Sequence, residues 1–481
     1  MNKTSCVALP SVLALALASF LANATPAGAG LPGPLPPAAN QRIAHDIFRD
    51  LVEIRSVHEV GTQGTADVIV KYLKANGFTD AEIHVAPETR YPHQVNVVVR
   101  LKGKGHGKPV MWICHMDVVD ARPQDWSVPP FKFTQKDGYF YGRGTADMKD
   151  EDAAVAAALI RLKREHYVPD RDIVVAFTAD EEVGLEQDGP QFLVQHRKDL
   201  VGDVGLVINP DGGSGEIRDG KRLDFAVETV QKTYMTYHME TANKGGHSSE
   251  PRPDNAIYEL AGGLGRIAHY VFPYKTNATT RAYFASIARE ADGQRGLDLL
   301  ALSKEPVDAA VAARLARDPA LNAILHTTCV ATMLQAGVQE NALPSSATAT
   351  IQCRVFPGES AEQVQATLAK VAADPAIKVS LADPVMPAPE TVPDAKVMDA
   401  VAAVVHGMWG KDIPVMPMMA AGASDSIFTR AAGIPSYGVG GGWNDVDDIR
   451  MHGRDERDAI GNFYQTVEFT YRLMRQLTTA S

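Results

Sequence analysis

Four short, mainly apolar runs mark the amino-terminal half of the chain: residues 97–101, 110–114, 173–177 and 204–208, each bounded by Gly, Pro or Asp. Residues 149–166, between the second and third, have a helical period. Upstream of all four, Ile43, Ile47, Leu51 and Ile54 recur at spacings of three and four. Gly77 then closes a second helix, 65–76, in the position a C-cap favours. A strand apolar on both faces must be covered on both faces. Such strands, alternating with helices, predict an α/β fold: a mainly parallel sheet with helices on either side.

The pattern changes after residue 224. Residues 225–241 alternate, with Tyr234, Thr236 and His238 on one face and Met235, Tyr237 and Met239 on the other. A helix follows, with Ile257, Leu260, Leu264 and Ile267 along one side, and then an Ala-rich, charged helical stretch over 285–325. Strand-like runs at 328–334 and 347–356 precede a helix near 361–373. Alternating strands that pair antiparallel, with helices on one face, make an α+β layer. After Pro384 the helix–strand alternation returns and ends in a helix over 456–477. A chain of 481 residues is long enough for more than one core. We therefore expect residues 41–224 and 385–481 to form an α/β domain, interrupted by an inserted α+β domain at 225–384.

The first 40 residues carry one charge, Lys3, and an apolar run, 7–21, that leads to Ala22-Asn23-Ala24. This is the pattern of a secretory signal with a small-residue cleavage site; a retained anchor is the alternative. Residues 1–24 read as the signal and 25–40, rich in Pro, Gly and Ala, as a disordered leader. No later apolar run is long enough to span a bilayer. The protein is expected to be exported, periplasmic or secreted, with no membrane span after signal removal. Its net charge of -11 offers no basic field to a nucleic acid. Four cysteines in so long a chain exclude a disulfide scaffold.

The informative residues follow the apolar runs directly. Residues 110–114 lead into His115-Met116-Asp117, 173–177 into Asp180-Glu181-Glu182, and 204–208 into Asn209-Pro210-Asp211. Ligand sites in open α/β sheets form beyond the carboxyl ends of strands, so these clusters are expected to converge. Asp147, just before the helix at 149, and His452, after the glycines of 438–442, are further candidates. Imidazole and carboxylate together suit zinc and its first-row neighbours, and packed carboxylates need a cation between them. Cys114 is expected to point away from His115 into the sheet's packing.

These motifs resemble those of the M20 metallopeptidases, the family of glutamate carboxypeptidase, aminoacylase and acetylornithine deacetylase. The resemblance rests on His115-Met116-Asp117, Gly144-Thr145-Ala146-Asp147-Met148-Lys149, Asp180-Glu181-Glu182, Asn209-Pro210-Asp211 and Met451-His452-Gly453, in that order. It implies two divalent metal ions, zinc first and cobalt or manganese as alternatives. His115 and Asp211 would hold one, Glu182 and His452 the other, and Asp147 would bridge them. Glu181 matches the general acid/base and Asp117 the carboxylate that orients His115. A cis peptide after Asp147 is implied as well.

In the inserted domain, a lid that dimerises many relatives, His247 of Gly245-Gly246-His247-Ser248-Ser249 matches an oxyanion-stabilising histidine. Asn341 and Arg354 match residues that grip a substrate carboxylate, and Gly422-Ala423-Ser424-Asp425 resembles another substrate-side loop. If His247 completes the site only on closure, the open form should hold it apart from the metals. Cys329 and Cys353 can face each other on neighbouring lid strands, and export permits a disulfide. The 276–325 insertion looks closest to the carboxypeptidase S and N-acyl amino acid hydrolase branch. The expected activity is a carboxypeptidase or dipeptidase acting on short peptides with a free carboxyl end, and the alternative an N-acyl amino acid hydrolase. An exported, non-catalytic peptide-binding protein is the distant third, against which the retention of Glu181 speaks. A serine hydrolase is disfavoured, because Gly422-Ala423-Ser424-Asp425-Ser426 lacks the last glycine of a nucleophile elbow.

Overall fold

The computed structural model describes residues 30–183, 189–289, 291–386 and 389–479. A ten-stranded sheet forms the larger unit. Its strands lie in the order Ile83–Pro87, Val95–Leu101, Ile173–Thr178, Val110–His115, Leu206–Asn209, Ser436–Gly438, Lys221–Gln231, Gly215–Arg218 and Trp443–Asp445. Val415–Ala420 pairs beside Lys221–Gln231. The centre is parallel, with Val110–His115 between Ile173–Thr178 and Leu206–Asn209, and Ser436–Gly438 continuing the run. Along Val110–His115, Trp112 and Cys114 enter one core and Met111 and Ile113 the other, so both faces are buried. Helices Ala38–Val52, Gln63–Ala75, Lys149–Arg164, Ala395–Trp409 and Ile460–Thr478 cover the first face, and Gly189–His196 and Lys198–Val201 the second. Lys149–Arg164 is buried on nearly all sides, and its alanines let it pack against both Ala38–Val52 and Ile460–Thr478.

The smaller sheet is four-stranded and antiparallel, in the order Thr328–Ala336, Ser346–Val355, Thr233–Ala242 and Lys378–Leu381. Met235, Tyr237 and Met239 point into its core, under helices Ala256–Ala268 and Ala361–Ala372, while Tyr234 stays exposed. Cys329 and Cys353 stand opposite each other in register and form a disulfide. Cys114 is a free, buried thiol.

Residues 225–231, expected in the inserted unit, belong instead to the strand Lys221–Gln231 of the large sheet. That strand is buried continuously from Phe225 to Gln231, as a central strand must be, and strict alternation begins only at Thr233. The 285–325 stretch resolves into helices Ala278–Ile287, Gly293–Leu302, Ala309–Leu315 and Pro319–Leu325, packed around Phe284, Leu299, Leu302, Leu315 and Leu325. Lys232, in the crossing between the two sheets, is buried. Its ammonium donates to the carbonyls of Ala323 (2.8 Å) and His326 (2.7 Å) and to Thr328 Oγ1 (3.2 Å).

Part of the leader expected to be disordered is seated. Arg222 donates to the carbonyl of Pro32 at 3.0 Å and Gln465 to that of Leu31 at 2.6 Å, Pro36 is buried, and the first helix starts at Ala38. A Pro- and Gly-rich segment has unpaired carbonyls to offer, and its prolines have little freedom to lose on docking. The signal segment 1–24 and residues 25–29 lie outside the described residues. No helix among the described residues is long and apolar enough to cross a membrane.

Candidate metal centre

His115, Glu181, Glu182 and Asp211 all follow from the ends of parallel strands, where backbone direction delivers successive side chains to one rim. Asp147 enters from the turn before Lys149–Arg164, across a cis peptide to Met148. Its carboxylate faces two imidazoles: Oδ1 lies 3.1 Å from His115 Nε2, and Oδ2 lies 3.1 Å from His452 Nε2. His452 Nε2 is also 2.9 Å from Glu182 Oε2. Two groups of ligand atoms gather within 4.8 Å of one another, His115 with Asp147 and Glu182, and His115 with Glu181 and Asp211. All six residues expected at the centre are therefore in one place: the two groups share His115, and Asp147 and Glu182 reach His452.

The surroundings set their protonation. Burial alone would push the His115 imidazole down, yet hydrogen bonds with Asp117 and Asp147 carry it well above the usual range. His452 is raised to about 10 by its bonds with Asp147 and Glu182. Asp147 goes the other way. Burial opposes it, but hydrogen bonds from His115 and His452 hold it below the ordinary carboxylate range. Burial, and then the charge of Asp147, push Asp211 up to about 8. Burial, followed by the charge of Asp211, pushes Glu181 well up too. Acids crowded to this degree are ready for a cation. Glu182 Oε1 is buried with no hydrogen-bond partner among the described residues, which leaves it free to coordinate. Two imidazoles and several carboxylates form a donor set suited to zinc and its first-row neighbours.

The carboxylate of Asp117, expected to orient His115, makes its hydrogen bonds elsewhere. His115 Nδ1 bonds at 3.1 Å to the Asp117 backbone carbonyl, with the carboxylate Oδ1 further off at 3.6 Å. That carboxylate instead accepts the backbone N–H groups of Glu181 and Glu182. Arg143 and Glu456, which sequence reasoning missed, lock two loops of the site together. The buried Arg143 pairs with Glu456 and donates to the carbonyls of His452 (3.3 Å) and Gly453 (3.1 Å), while Glu456 accepts from Ala146 N at 2.8 Å. The only local signal for them is a charged residue just outside each glycine-containing motif, Arg143 directly before Gly144 and Glu456 three residues after Gly453.

The lid residues stand elsewhere. His247 is exposed, bonds through Nδ1 to Ser249 Oγ at 2.7 Å and joins neither ligand group. Asn341 is exposed beside it, its carbonyl accepting Ser248 N at 3.0 Å. Arg354 is half-buried, with its guanidinium over the Tyr234 ring at 4.7 Å. Ser424 and Asp425 are buried, Asp425 accepting from Thr178 Oγ1 at 3.2 Å.

Comparison with known proteins agrees with this arrangement. The chain is 26% identical over 390 residues to the N-fatty-acyl-amino acid synthase/hydrolase PM20D1 of Xenopus tropicalis, covering 79% of this chain and 75% of that protein. It is 28% identical over 431 residues to the probable carboxypeptidase S-like 2 of Dictyostelium discoideum, covering 84% and 79%. The fold matches the crystal structure of the M20 family metallo-carboxypeptidase Sso-CP2 from Sulfolobus solfataricus. There the TM-score is 0.64 and the identity 17%, over 90% of this chain and 98% of that one. The profile of peptidase family M20/M25/M40 matches residues 111–476, from the strand that delivers His115 to the last helix. The chain belongs to this family of hydrolases, which act on peptide and amide bonds.

Proposed function

We propose that the protein is an exported two-metal exopeptidase, a carboxypeptidase or dipeptidase that cleaves short peptides beside a free carboxyl end. The observation that carries this reading is the two-sided Asp147 carboxylate, one oxygen toward His115 and the other toward His452. His115 and Asp211 would hold one divalent ion, Glu182 and His452 the other, with Asp147 between them; zinc is the first choice, cobalt or manganese the alternatives. Two such ions would supply an acidified water and a polarised scissile carbonyl. Glu181 takes the proton from the attacking water on its ionised carboxylate and passes it to the leaving nitrogen. Arg354 and Asn341 bind the substrate carboxylate, and His247 faces the developing oxyanion once the lid closes.

The names of the PM20D1 relatives favour a second reading, hydrolysis of N-acyl amino acids. Both substrates present an amide next to a carboxylate, so the same residues serve either. A mass-spectrometric screen of the zinc-loaded protein against free-ended peptides, amidated peptides and N-acyl amino acids separates them. Loss of carboxyl-terminal residues from free-ended peptides alone supports the peptidase, and cleavage of N-acyl amino acids alone the second reading. Glu181→Gln should keep both metals and lower kcat by at least about a hundredfold; normal turnover would remove the mechanism. The exposed Val330, Met333 and Leu334 on the edge strand Thr328–Ala336 support homodimerisation through the lid, which light scattering tests. Sequencing the mature amino terminus tests export, with Thr25 expected first.

A further inference from the structure

The residues Asp180-Glu181-Glu182 leave the strand Ile173–Thr178 in an unusual way. Asp180 has φ +67°, the left-handed region, which a residue with a Cβ holds only when its surroundings over-determine it. Three contacts supply that constraint. Asn96 Oδ1 accepts the N–H of Ala179 at 3.1 Å, immediately before the turn. The Asp117 carboxylate accepts the N–H groups of Glu181 and Glu182 immediately after it. The third contact acts on Asp180 itself. Its side chain, 8% exposed, meets His58 Nδ1 at 2.8 Å through Oδ1.

His58 comes from a turn after the first helix, 122 residues earlier in the chain. Gln94 Nε2 donates to the His58 backbone carbonyl at 2.9 Å, and the rings of Tyr91 and His93 stand edge-on to the imidazole. The imidazole is therefore held in place yet remains 34% exposed. A core residue would be covered, and the ring joins neither ligand group. Its Nδ1 has two polar neighbours, Gln94 Nε2 at 3.2 Å and, closer, the carboxylate of Asp180 at 2.8 Å, the residue that precedes Glu181.

The geometry points to His58 as a positioning residue: by holding Asp180 in its left-handed turn, it fixes the direction in which Glu181 presents its carboxylate. The inference rests on the reading of Glu181 as the base. It differs from the role of Asp117, which grips the backbone on the other side of the same turn. Asparagine carries an amide nitrogen close to where histidine carries Nδ1, so His58→Asn keeps the donor to Asp180 and His58→Ala removes it.

The test measures kcat, KM, zinc content and melting temperature for the wild type, His58→Ala, His58→Asn and Glu181→Gln. The probes are Gly-Leu and N-acetyl-L-leucine. Hydrogen–deuterium exchange over residues 179–183 gives a readout independent of turnover. His58→Ala should lose about tenfold to a hundredfold in kcat with KM little changed and both zinc ions retained, and should exchange faster over 179–183. His58→Asn should recover most of that kcat and protection. Wild-type kcat and exchange in His58→Ala, beside an inactive Glu181→Gln, would overturn the role of His58 and leave the base in place. Equal losses in His58→Asn and His58→Ala would overturn it too. Normal turnover by Glu181→Gln would instead strike the base assignment.

Discussion

Asp117 holds Glu181 by its backbone: Oδ1 accepts the Glu181 N–H at 3.2 Å, and Oδ2 takes the N–H of Glu182 at 3.1 Å. One carboxylate thus caps the turn that carries both a candidate base and a candidate ligand. Asp117→Asn keeps one acceptor and turns an NH2 group toward the other amide, while the bond from His115 to the residue-117 carbonyl survives. The variant should retain both metals, with affinity reduced by no more than about tenfold, and lose roughly ten- to a hundredfold in kcat. Metal analysis beside steady-state kinetics checks this; metal loss with normal turnover per bound ion would contradict it.

Loading the centre should release protons. In the metal-free protein at pH 7, His452 (raised to about 10), His115 (well above its usual range) and Asp211 (about 8) all hold a proton. A cation needs neutral imidazoles and an ionised carboxylate, so each proton must leave as the ion enters. Apparent affinity should therefore rise as pH rises through the neutral range and fall on acidification. Zinc titration calorimetry in buffers of differing ionisation enthalpy reads the number released; a count of zero would rule the description out.

Arg143 and Glu456 are a buried pair whose separation leaves a charge stranded. Arg143→Met should lower stability by about 3–5 kcal/mol, visible in denaturant unfolding. It should also loosen the His452 loop, whose carbonyls Arg143 binds, and weaken metal uptake there. Wild-type stability together with full metal content would show that the pair is dispensable.

With residues 1–24 removed, the chain should show one free thiol, Cys114, in denaturant without reductant, and three after reduction of the Cys329–Cys353 bond. Thiol titration against mass spectrometry decides the matter. Three thiols before reduction would exclude the bond.

The sheet was legible because a strand buried on both faces has to be written in apolar residues, as Val110–His115 and Ile173–Thr178 are. The gathering of His115, Glu181, Glu182 and Asp211 was legible for the same reason, since each trails such a run. Lys221–Gln231 misled because Glu228 and Gln231 gave it the look of a half-exposed strand. Glu228 is buried there and neutralised by Arg430 at 3.0 Å, a partner that lies 202 residues away. The His58–Asp180 and Arg143–Glu456 contacts were hidden likewise. Single polar side chains have no period, and their meaning comes only from what the fold brings opposite them.

The seat of the leader has a consequence for the order of events when this chain is made. Leu31 is held by Gln465, 434 residues downstream, and Gly33 lies against Trp409 and Gln465. The helix Ile460–Thr478, which carries Gln465, does not exist until residues 460–478 have been made. Closing so long a loop is slow, and the surface around Trp409 and Gln465 is open to association in the meantime. A chain that crosses a membrane during or after synthesis has to keep this end unattached throughout the passage. A segment made early is thus among the last to find its place.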